Sequence, residues 1–397
     1  MTRLLDVANT YVPFNAPWNQ PWDERLRSMC SRKYKIAYFY ERPDTSTFRY
    51  RVFNMVESLN LTPGEVSSGW FTHDDKENGL RFIEEADSLV ICRVRYDHRV
   101  ADIIARARTR DIPIWFDTDD LVFDIDQVHD IISTLDIETT QDRWNYWYSY
   151  IGRIAATMSK CNGGITTNHF LAERLASVAP FGNVHVLPNF LNRNQQEISD
   201  MVWRERNESG EMVLADPGSI AIGYFSGSPT HKLDLLVASH ALAQLFEMWP
   251  YLRLKIVGFC HLNSFLEPYA NRIDFVSLVD YWNLQREIGS VDINISPLRE
   301  TEFTQCKSEL KYFEAGAVGV PTVATPTLAF SSAINHGGNG YLAKSWEWFD
   351  VLCELIDLIR NRPSEYQVLC NRAHDSSLAR YGWDQFGDRI ASTITAN

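Results

Sequence analysis

VDINISPLRETEFTQCKSELKYFEAGAVGVPTVAT, residues 291–325, runs strand, loop, helix, strand. An apolar run at 291–296 has strand character and stops at Pro297. A polar loop leads to a helical segment expected over about 307–318, Gly319 ends it, and a second strand is expected at 320–324. On that helix Leu310, Phe313 and Ala317 share one face and can pack on a sheet. Lys307, Lys311 and Glu314 fall at i, i+4 and i+7 on another face, which separates Lys307 from Glu314 by roughly 10 Å. A cation and unpaired amides at a helix start can hold an anion. A carboxylate two turns on can accept hydrogen bonds from two vicinal hydroxyls, and a nucleoside diphosphate presents both groups. The same spacing also suits a solvated helix face with an i,i+3 Lys311–Glu314 pair.

Working outward, the strand–helix alternation of this stretch repeats along the chain. Before it, strand patterns at 34–40, 65–70, 88–92, 113–116, 163–167 and 184–187 alternate with helical patterns. The helix expected at 97–108 has Asp97 as its N-cap. Residues 127–160 are helical and rich in aromatics (WNYWYSY). A polar segment at 193–218 separates this series from a second one that starts at 220–225. Alternation of this kind implies βαβ units and parallel sheets. The reading is an α/β chain of two doubly wound, Rossmann-like domains facing a central cleft. Its divisions are an ordered arm at 1–33, an amino-terminal domain at 34–200, a carboxyl-terminal domain at 201–380 and a final helix at 381–397 that crosses back.

Composition narrows the function. A formal charge of −13 argues against a nucleic-acid partner, since phosphate neutralisation needs basic surface. It also supplies no general attraction to anionic membranes, although a local patch could. Seven cysteines without C-x-x-C spacing fit free thiols in a reducing compartment. No signal-peptide pattern and no eighteen-residue apolar run occur, so a soluble, cytoplasmic protein is expected. Twelve tryptophans is a high count; many belong to the core, and some could stack on sugar rings.

Two further constellations carry chemistry. GYFSGSPTH, from Gly223, follows a strand, and its small residues let backbone amides approach a phosphate, with Thr230, His231 and Lys232 opening the next helix. A plain tight turn fits the same residues. Asp117, Asp119 and Asp120 end a strand of the first domain and point toward the cleft. They could bind a metal, hold an acceptor or act as a base, or cap the next segment. For Asp117 a structural role is the better reading, and Arg93 and Arg95 are placed to pair with these carboxylates. No paired-histidine zinc motif and no G-x-S-x-G occurs.

The segment KSELKYFEAGAVGVPTVAT, from Lys307, resembles the donor-binding segment of GT-B glycosyltransferases, those of glycosyltransferase family 4 in particular. In that family a Glu at the helix start precedes a second Glu by seven intervening residues, followed by a Gly-x-Pro turn. Glu314 falls on the second Glu, and the first falls on Cys306. Polysaccharide-biosynthesis members are most similar, with a Lys-Ser pair at this point, and GYFSGSPTH resembles them too. The resemblance implies a GT-B fold and transfer of a sugar from a nucleotide-diphosphate sugar to a glycan or lipid-linked glycan, with retention and without metal or cofactor. It implies phosphate contacts from Lys307 and from Ser226, Gly227 and Ser228, with Lys232 and Ser308 beside them and Glu314 on the ribose. Asp119 and Asp120 become acceptor-side residues, and peripheral contact with the inner membrane face fits such an acceptor. A nucleotide-sugar epimerase of the same build and a non-catalytic nucleotide-binding partner remain alternatives, the latter because of Cys306.

Overall fold

The computed structural model describes residues 11–134, 140–207, 218–227, 233–260 and 262–395. Its frame is two six-stranded sheets, parallel throughout. The first contains β1 (Tyr34–Tyr40), β2 (Val66–Thr72), β3 (Ser88–Cys92), β4 (Ile114–Thr118), β5 (Gly163–Thr166) and β6 (Val184–Val186), in the order β2-β1-β3-β4-β5-β6. The second contains β7 (Ile220–Ser226), β8 (Leu252–Gly258), β9 (Ile273–Val276), β10 (Ile293–Ser296), β11 (Thr322–Ala324) and β12 (Tyr341–Leu342), in the order β12-β11-β10-β7-β8-β9. Strands β3, β4 and β10 are buried at every position, because helices cover both faces of a parallel sheet.

The strand order fixes where a ligand can go. The order reverses between β1 and β3 in the first sheet and between β7 and β10 in the second. Connections leave in opposite directions at such a point, so a crevice opens outside the carboxyl ends of the strands. The final helix, Gly387–Thr395, returns to the first domain, where Ile390 and Ile394 enter the core and Phe386 stacks on Phe190. Near the other end, Trp18 stacks on Tyr281 and meets Phe48 and Phe53 edge-on, so the leading segment ties both halves together. Among the described residues no helix is long and apolar enough to cross a membrane.

Several sequence expectations need correction. The arm at 1–33, to which the sequence assigned no helix, contains the helix Trp22–Met29. The polar segment after residue 193 begins as a helix, Arg193–Arg206, capped by the Asn192 side chain. The 200/201 boundary lies within that helix, which packs on the helices Tyr281–Gly289 and Leu310–Ala317 of the second half. The helix expected at about 307–318 begins only at Leu310 and runs Leu310–Ala317, and the polar loop before it contains a short helix of its own, Glu302–Gln305. Thr301 caps the short helix by accepting from the Thr304 amide, and Cys306 closes it. Lys307 and Ser308 therefore lie in the corner between two helices. Apolar spacing alone cannot register such a break.

The carboxyl end of the helix Leu310–Ala317 behaves as the sequence suggests. Gly319 takes a φ of 70°, the left-handed conformation that ends many helices, and the Val320 amide bonds back to Ala315. A Cβ there would also collide with the Trp203 ring at 2.0 Å.

The helix after β1 is interrupted by a π-turn, Arg49–Phe53, between Ser46–Phe48 and Asn54–Leu61. Its Arg51 is fully buried and forms a two-pronged ion pair with Asp117 at the end of β4, both bonds 2.8 Å. Arg51 also donates to the Leu187 carbonyl at 2.7 Å. Asp117 thus has a structural role, by pairing with Arg51 rather than by capping. Removing one member of a buried pair strands the other in a low-dielectric interior. Arg51→Ala is expected to lower unfolding stability by about 3–5 kcal/mol in urea titrations. A loss below roughly 1 kcal/mol, the range of an exposed pair, would show that the pair does not hold this domain together.

Candidate active site

Both reversal points open onto one cavity of about 410 Å³ between the sheets. That volume lies in the range of pockets that enclose small ligands. From the first domain come Ser46 and Thr47 after β1, Arg93 after β3, and Asp119 and Asp120 after β4. The facing wall carries Gly227 after β7, Ser296 and Leu298 at the end of β10, and Lys307, Ser308 and Lys311.

Charge on the first wall is held by Arg93. Its backbone has a φ of 32°, a left-handed conformation uncommon outside glycine. Its guanidinium lies 3.0 Å from Asp119 and 3.8 Å from Asp120. Thr47 donates to Asp119 at 3.1 Å. Arg95, which the sequence also offered to these carboxylates, pairs with Glu41 instead. Among the described residues no group of three or more metal-ligating side chains converges.

Lys307 reaches across the cleft to Asp120 at 3.0 Å and lies over the Phe303 ring. Ser308 accepts from the Asn189 amide at 3.1 Å, and Asn168 donates to the Cys306 carbonyl at 2.9 Å. The Cys306 side chain points into the core, and burial pushes its thiol up, so it is neutral and offers nothing to a ligand. The residue in the place of a family Glu is therefore packing material.

Lys311 is different. Its side chain forms part of the cavity wall, and its ammonium is withdrawn from solvent beside the Tyr224 ring. Among the described residues it has no hydrogen-bond partner. Burial holds it below the usual lysine range, against the attraction of Asp234 and Glu314.

Glu314 is not on the cavity wall. It is 4% exposed and accepts hydrogen bonds from Tyr50, on the π-turn of the first domain, and from Gln195 at 3.3 Å. Burial raises its pKa, while Arg49 and the Tyr50 hydroxyl oppose the shift. Ser226 is buried at the end of β7, with Gly227 exposed beyond it. Ser228 and Lys232 lie outside the described residues. The structure therefore brings Asp119, Asp120, Gly227, Lys307 and Ser308 to one cavity. Sequence reasoning gave no role to Lys311, Thr47, Tyr50 or Asn189. Lys311 was visible on the helix face, whereas the others are placed by long-range packing.

Residues 219–361 match the model of a family described as glycosyl transferases group 1. No curated protein matches the chain by sequence. Among solved structures the chain is similar to Anabaena HepE in complex with UDP and glucose, with a TM-score of 0.61 at 13% identity over 91% of this chain and 99% of that one. It is similar to sucrose-phosphate synthase from Thermosynechococcus elongatus, with a TM-score of 0.56 at 14% identity over 91% and 98%. It is also similar to the trehalose-6-phosphate synthase OtsA, with a TM-score of 0.53 at 10% identity over 91% and 99%. The fold is GT-B, and residues 219–361 of its second domain are similar to group 1 glycosyl transferases.

The Lys311 environment generates a stability prediction. The folded chain binds the Lys311 proton more weakly than the unfolded chain does, because burial lowers its pKa. Stability therefore rises as pH climbs through the folded value toward the ordinary one of about 10.4. Lys311→Met removes this penalty, so its melting temperature at neutral pH should exceed the wild type's. Each 1 kcal/mol of relief shows as roughly 2–4 °C for a domain of this size. The advantage should shrink as pH is raised toward the ordinary lysine value. A Lys311→Met protein that melts lower at neutral pH would mean that the ammonium is well compensated as it stands.

Proposed function

We propose that this protein transfers a sugar from a nucleotide-diphosphate sugar to a glycan or lipid-linked glycan acceptor, as in polysaccharide biosynthesis, with retention at the transferred carbon. The observation that carries the reading is the cavity at the two strand-order reversals, with two lysines on one wall and two carboxylates on the other. The presence of UDP in the complex of the similar Anabaena protein supports a uridine nucleotide as the first to test.

In this reading Lys307 and Lys311 hold the diphosphate, with Gly227 and Ser308 beside it. Lys311 already bears the cost of an ammonium enclosed without a hydrogen-bond partner among the described residues. An anion in the cavity would relieve that cost. Lys307 would trade Asp120 for phosphate and free the carboxylate to receive an acceptor hydroxyl. Two cations on one wall neutralise charge that grows on the leaving diphosphate, which lets the reaction proceed without a metal. Glu314 is the ribose partner. For the sugar hydroxyls to reach it, Tyr50 must let go, so donor entry requires the domains to part locally at that contact. Asp119, held by Arg93 and Thr47, orients the acceptor side.

A thermal-shift screen against UDP, GDP, dTDP and ADP tests the binding half of this proposal. One nucleotide at a hundred dissociation constants should add about 2.7 kcal/mol of stability. Silence from all four would remove the donor site. Steady-state kinetics in EDTA, with the nucleotide-sugar that the screen selects, tests the roles. Lys307→Ala should lower kcat by about a hundredfold, the scale of a lost oxyanion contact. Glu314→Gln touches a group that hardly changes during reaction and should act mainly on KM. Equal effects of the two on KM alone would contradict the assignment of Lys307 to the leaving group.

A further inference from the structure

The helix Gln141–Met158 places five aromatic rings in seven residues, Trp144, Tyr146, Trp147, Tyr148 and Tyr150. Its fully buried residues, Ile151, Ile154, Thr157 and Met158, all lie in the carboxyl-terminal half, while Trp144, Trp147 and Tyr150 are half-buried against the core. The preceding residues have no fully buried member, and Tyr146 is 54% exposed. Large rings left in contact with water on a helix that could have carried polar residues call for a ligand.

Two of these rings belong to the cavity. Trp147 and Tyr150 line it together with Arg93, Asp119 and Asp120. Tyr150 is held in place beneath the Arg95 guanidinium, itself paired with Glu41. Tyr146 stacks on Tyr150 at 6.1 Å and meets Trp147 edge-on, so one aromatic surface continues from the cavity mouth to the outside. The helix is fixed to the first domain by a reciprocal pair of bonds between Arg153 and Tyr96, at 2.8 and 2.9 Å. The platform therefore has a defined position relative to Asp119 and Asp120.

The chemistry of this surface selects its occupant. Sugars present apolar C–H faces rimmed by hydroxyls. Tyrosine and tryptophan present apolar faces with a polar edge, and Asn145 and Ser149 are interleaved with them. A membrane-docking face would need a row of free basic residues, but this helix carries no lysine, Arg143 follows Asp142, and Arg153 is bonded to the Tyr96 carbonyl. We propose that the Tyr146–Trp147–Tyr150 surface is an acceptor subsite that holds the sugar units behind the one that reacts. The proposal rests on the transfer reading above and names its acceptor as an oligosaccharide of more than one unit.

The test uses the full chain, saturated with the nucleotide found by thermal shift, on an array of oligosaccharide ladders running from single sugars to longer chains. Wild type should bind a ladder whose signal grows with length. Tyr146→Ala should weaken the longer members about tenfold, as loss of an aromatic contact at a binding hot spot does. Tyr146→Phe, which keeps the ring, should bind like wild type. A cooperative melting transition of each variant, with or without nucleotide, reports that it is folded. Wild type that binds no glycan of any length would overturn the proposal, and so would Tyr146→Ala that binds the longest member normally. Flotation with phosphatidylglycerol vesicles that is lost in Tyr146→Ala, without glycan binding, would assign the surface to a membrane and equally overturn it. Absence of a nucleotide shift would sink the donor reading by itself, and the glycan comparison would still decide this one.

Discussion

The buried pair between Arg51 and Asp117 lies beneath everything this molecule can do. It joins the π-turn after β1 to the end of β4 and, through the Leu187 carbonyl, to the segment after β6. Three carboxyl-terminal strand ends of the first sheet are thereby held in one geometry. Each of them then serves the cleft. The π-turn carries Tyr50 to Glu314, the loop after β4 carries Asp119 and Asp120, and Asn189 after β6 reaches Ser308. Burial of the charges is what gives the arrangement its rigidity, because neither partner can leave without stranding the other.

Above that base the two halves of the molecule meet through polar contacts, at the cavity and beside it, that a ligand could replace. Lys307 pairs with Asp120, Tyr50 with Glu314 and Asn189 with Ser308. Each contact satisfies a group that the proposed function needs for substrate. On the proposed function such contacts would be exchanged, not lost, when substrate enters. The Lys311 ammonium is left without a hydrogen bond among the described residues, and it has much to gain from an incoming anion. The GT-B frame supplies the cavity, while the identities of these few side chains supply its chemistry.

Much of this was legible in the sequence, for identifiable reasons. Apolar runs such as β1 and β3 declare parallel strands, Asp97 caps its helix as expected, and Gly319 ends the helix Leu310–Ala317. The site was legible wherever a residue follows a strand directly, as Asp119, Asp120 and Gly227 do. Legibility failed at local breaks. The corner at Lys307 depends on a short helix capped by Thr301 and on the buried Cys306, neither of which alters the apolar period. Removing Lys307 from the helix breaks the single face on which Lys307, Lys311 and Glu314 were expected together. The contact of Tyr50 with Glu314 joins residues far apart in sequence and belongs to domain packing, about which periodicity says nothing.

On the proposed function the cavity receives a diphosphate between Lys307 and Lys311, and a crystal structure of the chain with UDP would show it. Diphosphate oxygens are expected about 2.7–2.9 Å from the Nζ atoms of both lysines, the length of a charge-assisted hydrogen bond. Lys307 is expected to have parted from Asp120. UDP bound elsewhere, or bound in the cavity with Lys311 still unpartnered beside Tyr224 and Lys307 still on Asp120, would contradict it.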